Sequence, residues 1–87
     1  MASRDEIAAS LREILHTAAK VPTETLAALD EQAPIKDALK LDSLDMIEVV
    51  YEVEDRFDVQ IPEERVQEIR TFAEIVDGLH DAMQAKG

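Results

Sequence analysis

The chain has 87 residues and a formal net charge of −11, with no cysteine. That length suits one domain with a small core. The missing thiols exclude disulfides, thiolate catalysis and cysteine-ligated metals. The acidity repels nucleic acid and anionic membrane and attracts basic partners. On charge alone, a solvated surface that keeps a small protein soluble is the simpler account.

Aromatic residues are confined to Tyr51, Phe57 and Phe72, so the core must be aliphatic. No stretch is long and apolar enough for a transmembrane helix, and the N-terminus lacks a signal-peptide pattern; the expected location is the cytoplasm.

Ser3-Arg4-Asp5-Glu6 has the form of a capping box. Ile7, Leu11, Ile14, Leu15 and Ala18 then form one apolar stripe, which predicts a helix over 4–19. Val21-Pro22 ends it, because proline disfavours helical geometry in the preceding residue. Lys20 to Leu41 reads as a long loop, in which Thr23 to Leu29 can form a turn or two of helix. Leu26, Leu29, Ile35, Leu39 and Leu41 are its expected anchors.

The next helix is predicted over 43–57. Met46, Val50, Val53 and Phe57 gather on one side and are the expected core face. Leu44, Ile47 and Tyr51 make a second, smaller apolar strip, with Asp45, Glu48, Glu52 and Asp55 lining an acidic stripe beside it. The strip is either a wider core contact or a docking patch. Ten acids lie between Asp42 and Glu68, opposed only by Arg56 and Arg65.

Ser43 stands where the loop opens into this helix. Its hydroxyl can cap the helix or serve as an attachment point. A phosphodiester there would be tolerated despite the neighbouring carboxylates, because the free N–H groups and the macrodipole favour negative charge.

Pro62 is suited to start a short helix, predicted over 62–69, with Val66 and Ile69 as its apolar contacts. Thr71-Phe72-Ala73-Glu74 is a second capping box, opening a helix predicted over 72–84 with Phe72, Ile75, Val76, Leu79 and Met83 as its stripe. Gly78 inside that helix suggests close packing against a neighbour, and the tail from Gln84 is expected to fray. The fold class is all-α: three main helices plus one short helix, with a long loop after the first, forming one domain over 1–87.

Nothing in the chain assembles a catalytic constellation. His16 and His80 are isolated in helical segments. The twelve-residue span Asp37 to Glu48 fails as a calcium loop, since Leu39 and Leu41 occupy ligand positions and no glycine sits at the sixth. The expectation is a protein that catalyses nothing alone and holds no metal.

Asp42-Ser43-Leu44-Asp45 followed by Met46-Ile47-Glu48-Val49-Val50 resembles the attachment motif and second helix of acyl carrier proteins. The resemblance runs without a gap through Glu54-Asp55-Arg56-Phe57-Asp58, Ile61-Pro62-Glu63-Glu64 and Ile69-Arg70-Thr71. The triplet Asp-Ser-Leu alone is weak; the whole order and spacing is specific.

The resemblance implies an acyl-carrier-like helical bundle. It implies a 4′-phosphopantetheine arm, moved from coenzyme A to Ser43 by a phosphopantetheinyl transferase, whose thiol carries acyl groups as thioesters. It places Asp42 and Leu44 beside the attachment site. Asp45, Ile47, Glu48, Tyr51, Glu54 and Asp55 would meet basic-patched acyltransferases, ketosynthases or acyl-activating ligases. Val50, Ile61, Ile69 and Leu79 would line a shelter for the acyl chain, and the chain would be a monomer.

One departure is Leu39-Lys40, where the family usually has Leu-Gly; the first loop is also a few residues longer. These differences leave attachment intact and weaken the inference to housekeeping fatty acid synthesis in favour of a specialised pathway; the expected route is fatty acid or polyketide synthesis or a dedicated acyl transfer. Peptidyl and D-alanyl carriers share the arm and are the nearest rivals. An unmodified acidic docking module is the rival of another class.

Overall fold

Residue 3 caps the first helix in the computed structural model, which describes residues 3–86. Helix α1 spans Arg4–Ala18. Ser3 Oγ accepts from the Glu6 N–H at 3.2 Å, and Glu6 Oε1 accepts from the Ser3 N–H at 3.4 Å, so the capping box forms as its residues predict. Ile7, Leu11, Ile14 and Leu15 are fully buried. Through them α1 packs on both other long helices, α4 (Ser43–Phe57) and α6 (Phe72–Lys86). Two exposed ion pairs follow the same contacts: Arg4 with Asp77 at 2.6 Å and Arg56 with Glu13 at 3.3 Å.

The long segment after α1 is more structured than expected. It holds α2 (Thr23–Ala27), as anticipated, and a four-residue α3 (Ile35–Ala38), which was not. Leu26, Ile35, Leu39 and Leu41 are buried as its anchors, with Leu29 half-buried. The segment is also hooked onto the start of α6. Pro34 and Thr71 form an isolated antiparallel bridge, the Ile35 N–H donates to Arg70 O at 2.8 Å, and the Ala73 N–H donates to Glu31 O at 3.0 Å. Arg12 completes the hook: it pairs with Glu31 at 2.9 Å and lies 4.8 Å over the ring of the buried Phe72.

Helix α5 (Glu63–Glu68) buries no residue fully, and Val66 and Ile69 are half-buried. Pro62 occupies its N-cap in extended geometry rather than its first helical position. Of the second expected capping box one half is seen: Thr71 Oγ1 accepts from the Glu74 N–H at 3.1 Å. Helix α6 continues to Lys86, past the expected end at 84; Gly87, the last residue of the tail expected to fray, lies outside the described residues. The architecture is thus all-α, with three long and three short helices among the described residues.

Two further readings of the sequence are corrected. The core face of α4 is Met46, Val49 and Val53, with Val50 and Phe57 only half-buried. Val49 lies about 60° from Met46 on the helical wheel, on the other side from Val50, so α4 is rolled toward Val49 where it meets the core. Gly78 does not mark a close approach of helices: a Cβ there would meet nothing within 4 Å.

Among the described residues, three left-handed residues end helical segments, and none is glycine: Lys20 at φ 59°, Lys40 at φ 55° and Asp58 at φ 53°. For an ordinary side chain this conformation costs about 1 kcal/mol or more.

Candidate functional site

The loop from α3 into α4 presents Ser43. The Lys40 left-handed turn lets the Leu41 N–H donate back to Lys36 O at 2.9 Å, closing α3. Leu41 is buried and pins the strand of chain that follows. The turn into α4 is then fixed by two carboxylates. Asp42 Oδ1 accepts from the Asp45 N–H at 2.8 Å, and Asp45 Oδ2 accepts from the Asp42 N–H at 3.2 Å. The cap of α4 is therefore Asp42, not Ser43.

Ser43 takes the first helical position. It is exposed, and its hydroxyl has no hydrogen-bond partner among the described residues. The capping role that competed with attachment is filled by Asp42. What remains is a free hydroxyl at the positive end of a fifteen-residue helix, where a phosphodiester is electrostatically favoured. The residues present fit the attached group that the motif calls for.

Along α4 the second apolar strip is outside the core. Leu44 is 63% exposed, Ile47 48% and Tyr51 67%, the large exposed hydrophobic residues among the described residues. Glu48, Glu52 and Asp55 are exposed beside them. Asp45 and Glu54 differ: both are half-buried and both are engaged. Asp45 closes the capping box, and Glu54 Oε2 accepts from the Ile61 N–H at 2.9 Å, holding the α4–α5 loop.

An open cleft of about 600 Å³ lies between that loop, α5 and α6, with Ile61, Ile69, Ile75, Gly78 and Leu79 in its wall. Three of the four expected lining residues are there; Val50 is not. The histidines stand apart from Ser43 in sequence and contact. His16 Nδ1 lies 2.8 Å from Val21 O, and His80 Nε2 lies 3.4 Å from Gln84 Nε2.

A family model for the phosphopantetheine attachment site matches residues 9–79. The chain belongs to the acyl carrier protein family. It is 35% identical to the acyl carrier protein of Acidothermus cellulolyticus over 80 residues, 92% of either chain. It is also 35% identical to that of Kocuria rhizophila over 82 residues, 94% of this chain and 98% of the relative. The same identity holds with that of Myxococcus xanthus over 82 residues, 94% of this chain and the whole of the relative. As a member of this family the chain is a carrier in acyl biosynthesis, and its prosthetic group is phosphopantetheine. Carriers of this family serve partner enzymes rather than catalysing on their own. No helix among the described residues is long and apolar enough to cross a membrane.

Proposed function

We propose that Ser43 carries the 4′-phosphopantetheine arm and that the exposed strip on α4 is where partner enzymes dock. The observation that carries the first statement is the free Ser43 hydroxyl at the first position of α4, held between two carboxylates that cap the helix without it. Ser43 also lies inside the span matched by the attachment-site family model. The arm supplies a thiol that a cysteine-free chain lacks, and acyl groups ride on it as thioesters. The chain contributes the hydroxyl, the rigid turn that presents it, and the neighbouring Asp42 and Leu44.

The partners are a phosphopantetheinyl transferase and basic-patched acyltransferases, ketosynthases or acyl-activating ligases. Leu44, Ile47 and Tyr51 give the apolar contact, and Glu48 and Asp55 the charge that orients it. Rim charges of this kind speed encounter and set orientation more than they hold a complex together. That suits a shuttle that must release each partner. The apolar wall of the α5–α6 cleft, with Ile61, Ile69, Ile75 and Leu79, offers an acyl chain shelter between visits. The cargo belongs to fatty acid, polyketide or a dedicated acyl-transfer route. The chain works as a monomeric, single-domain carrier and not as an enzyme.

The test is intact mass after incubation with coenzyme A and a broad-specificity phosphopantetheinyl transferase. The wild-type chain gains one phosphopantetheine, while Ser43→Ala gains none and keeps its helical circular dichroism. An equal gain in both would move the attachment elsewhere. No gain in either, with a working control carrier, would favour an unmodified docking module.

A further inference from the structure

A second open cleft, of about 300 Å³, lies where the end of α1 meets the end of α3, with Lys20, Val21, Leu39, Lys40 and Asp45 in its wall. Its two lysines share three properties. Each follows the end of a helix in the left-handed conformation, at φ 59° and φ 55°. Each is exposed. Neither has a carboxylate or hydrogen-bond partner among the described residues, a property they share with Lys36, Arg65 and Arg70, which lie outside this cleft wall.

A lysine after a helix helps satisfy the helix dipole. That accounts for a cation at either turn but not for its backbone geometry, where glycine is the unstrained choice. Two left-handed turns put two lysines in the wall of one cleft, in a chain whose net charge is −11. Strain of this kind persists where the surroundings hold it and tends to gather at functional sites.

The cleft is also next to Ser43 along the chain. Lys40 precedes Ser43 by three residues, at most about 11 Å of extended backbone, and Asp45 follows it by two, at most about 7 Å. Asp42 and Asp45 turn their carboxylates to each other's N–H groups at 2.8 and 3.2 Å, so the cations of the cleft are not spoken for by the nearest acids.

We infer that this cleft seats the root of the prosthetic arm, with Lys40 and Lys20 as counter-ions to its phosphodiester. The inference rests on attachment at Ser43. One negative charge is brought to a surface otherwise crowded with carboxylates, and the two lysines of the cleft wall are the cations we assign to meet it. The arm then leaves Ser43 along the loop side of α4 instead of swinging freely.

The experiment uses the protein loaded by coenzyme A and transferase, with the modified peptide mapped by mass spectrometry, and reads the ³¹P resonance of the arm. In the wild type the resonance is shifted and broadened relative to the same loaded protein unfolded in urea. In the double variant Lys20→Gln, Lys40→Gln it moves most of the way to the unfolded position and narrows about twofold. Lys36→Gln, an exposed lysine of α3 outside the cleft wall, leaves it unchanged, and Lys40→Arg retains most of the shift. A resonance identical in wild type and double variant, with the arm mapped to Ser43 and circular dichroism unaltered, overturns the cleft inference and leaves attachment standing. An arm mapped to another residue overturns both.

Discussion

Asp42 and Asp45 exchange hydrogen bonds across Ser43, at 2.8 Å and 3.2 Å, and so hold the first turn of α4 without the serine's help. Two jobs that one hydroxyl could have shared are divided between neighbours. Asp42→Ala should therefore destabilise the fold by about 1 kcal/mol, the usual loss for an N-cap. Ser43→Ala should stay within about 0.5 kcal/mol of wild type, as surface substitutions without such a role do. Urea denaturation of the unloaded protein separates the two. A Ser43→Ala loss as large as that of Asp42→Ala would return the capping role to the serine.

The two left-handed lysines give a second prediction. Lys40→Gly and Lys20→Gly each relieve a side chain at positive φ, at φ 55° and φ 59°. The relief of about 1–2 kcal/mol is partly offset by the greater freedom of glycine in the unfolded chain, so a net gain of about 0.5–1 kcal/mol is expected. Thermal melts of the unloaded protein check it. If the lysines hold the phosphodiester, the same variants gain stability while losing the ³¹P shift. This is the trade between stability and function expected of strain kept for a purpose.

Gly78→Ala should raise stability by about 1 kcal/mol, because alanine is the better helix former and its Cβ has open space. For a chain of this size that is a rise of roughly 4–8 °C in melting temperature. Close helix packing at Gly78 would give a fall instead. The same methyl group also narrows the α5–α6 cleft that Gly78 helps to line. If an acyl chain shelters there, Gly78→Leu should speed thioester hydrolysis of long-chain cargo more than of acetyl cargo, measured by mass spectrometry over time.

Much of the frame is legible in the residues themselves. Ile7, Leu11, Ile14 and Leu15 recur at helical spacing and are fully buried, and Phe72, Ile75, Val76 and Leu79 recur likewise on α6 and are buried. Helix α3 was not legible, since four residues are too few to show a period and its stability comes from Ile35 and the hook to Arg70. Ser43 was readable as the start of a helix but one position off as its cap. The missed signal is reciprocity: Asp42 has Asp45 three residues on, able to return the hydrogen bond, whereas Ser43 has Met46. The Val49 roll of α4 was hidden because Val49 and Val50 are chemically equivalent, and only the packing of α1 distinguishes them. The lysine cleft depends on two turns twenty residues apart in sequence, which no local pattern brings together.

The acidic residues of α4 divide into two kinds, and a last prediction follows. Glu48 is exposed and makes no hydrogen bond or ion pair among the described residues, while Glu54 is half-buried and accepts from the Ile61 N–H at 2.9 Å. Glu54→Ala removes a charged acceptor and leaves a part-buried N–H without its partner, a loss of about 1–3 kcal/mol. The α4–α5 loop should then exchange its Ile61 amide hydrogen faster with solvent. Glu48→Ala should change stability by less than about 0.5 kcal/mol. Its effect should appear in the association rate with a basic partner such as the phosphopantetheinyl transferase, and should shrink as salt is raised. Equal losses of stability in both variants would mean that Glu48 also holds the fold. A Glu54→Ala variant with unchanged stability and slowed association would return Glu54 to the docking face, where the motif alone had placed it.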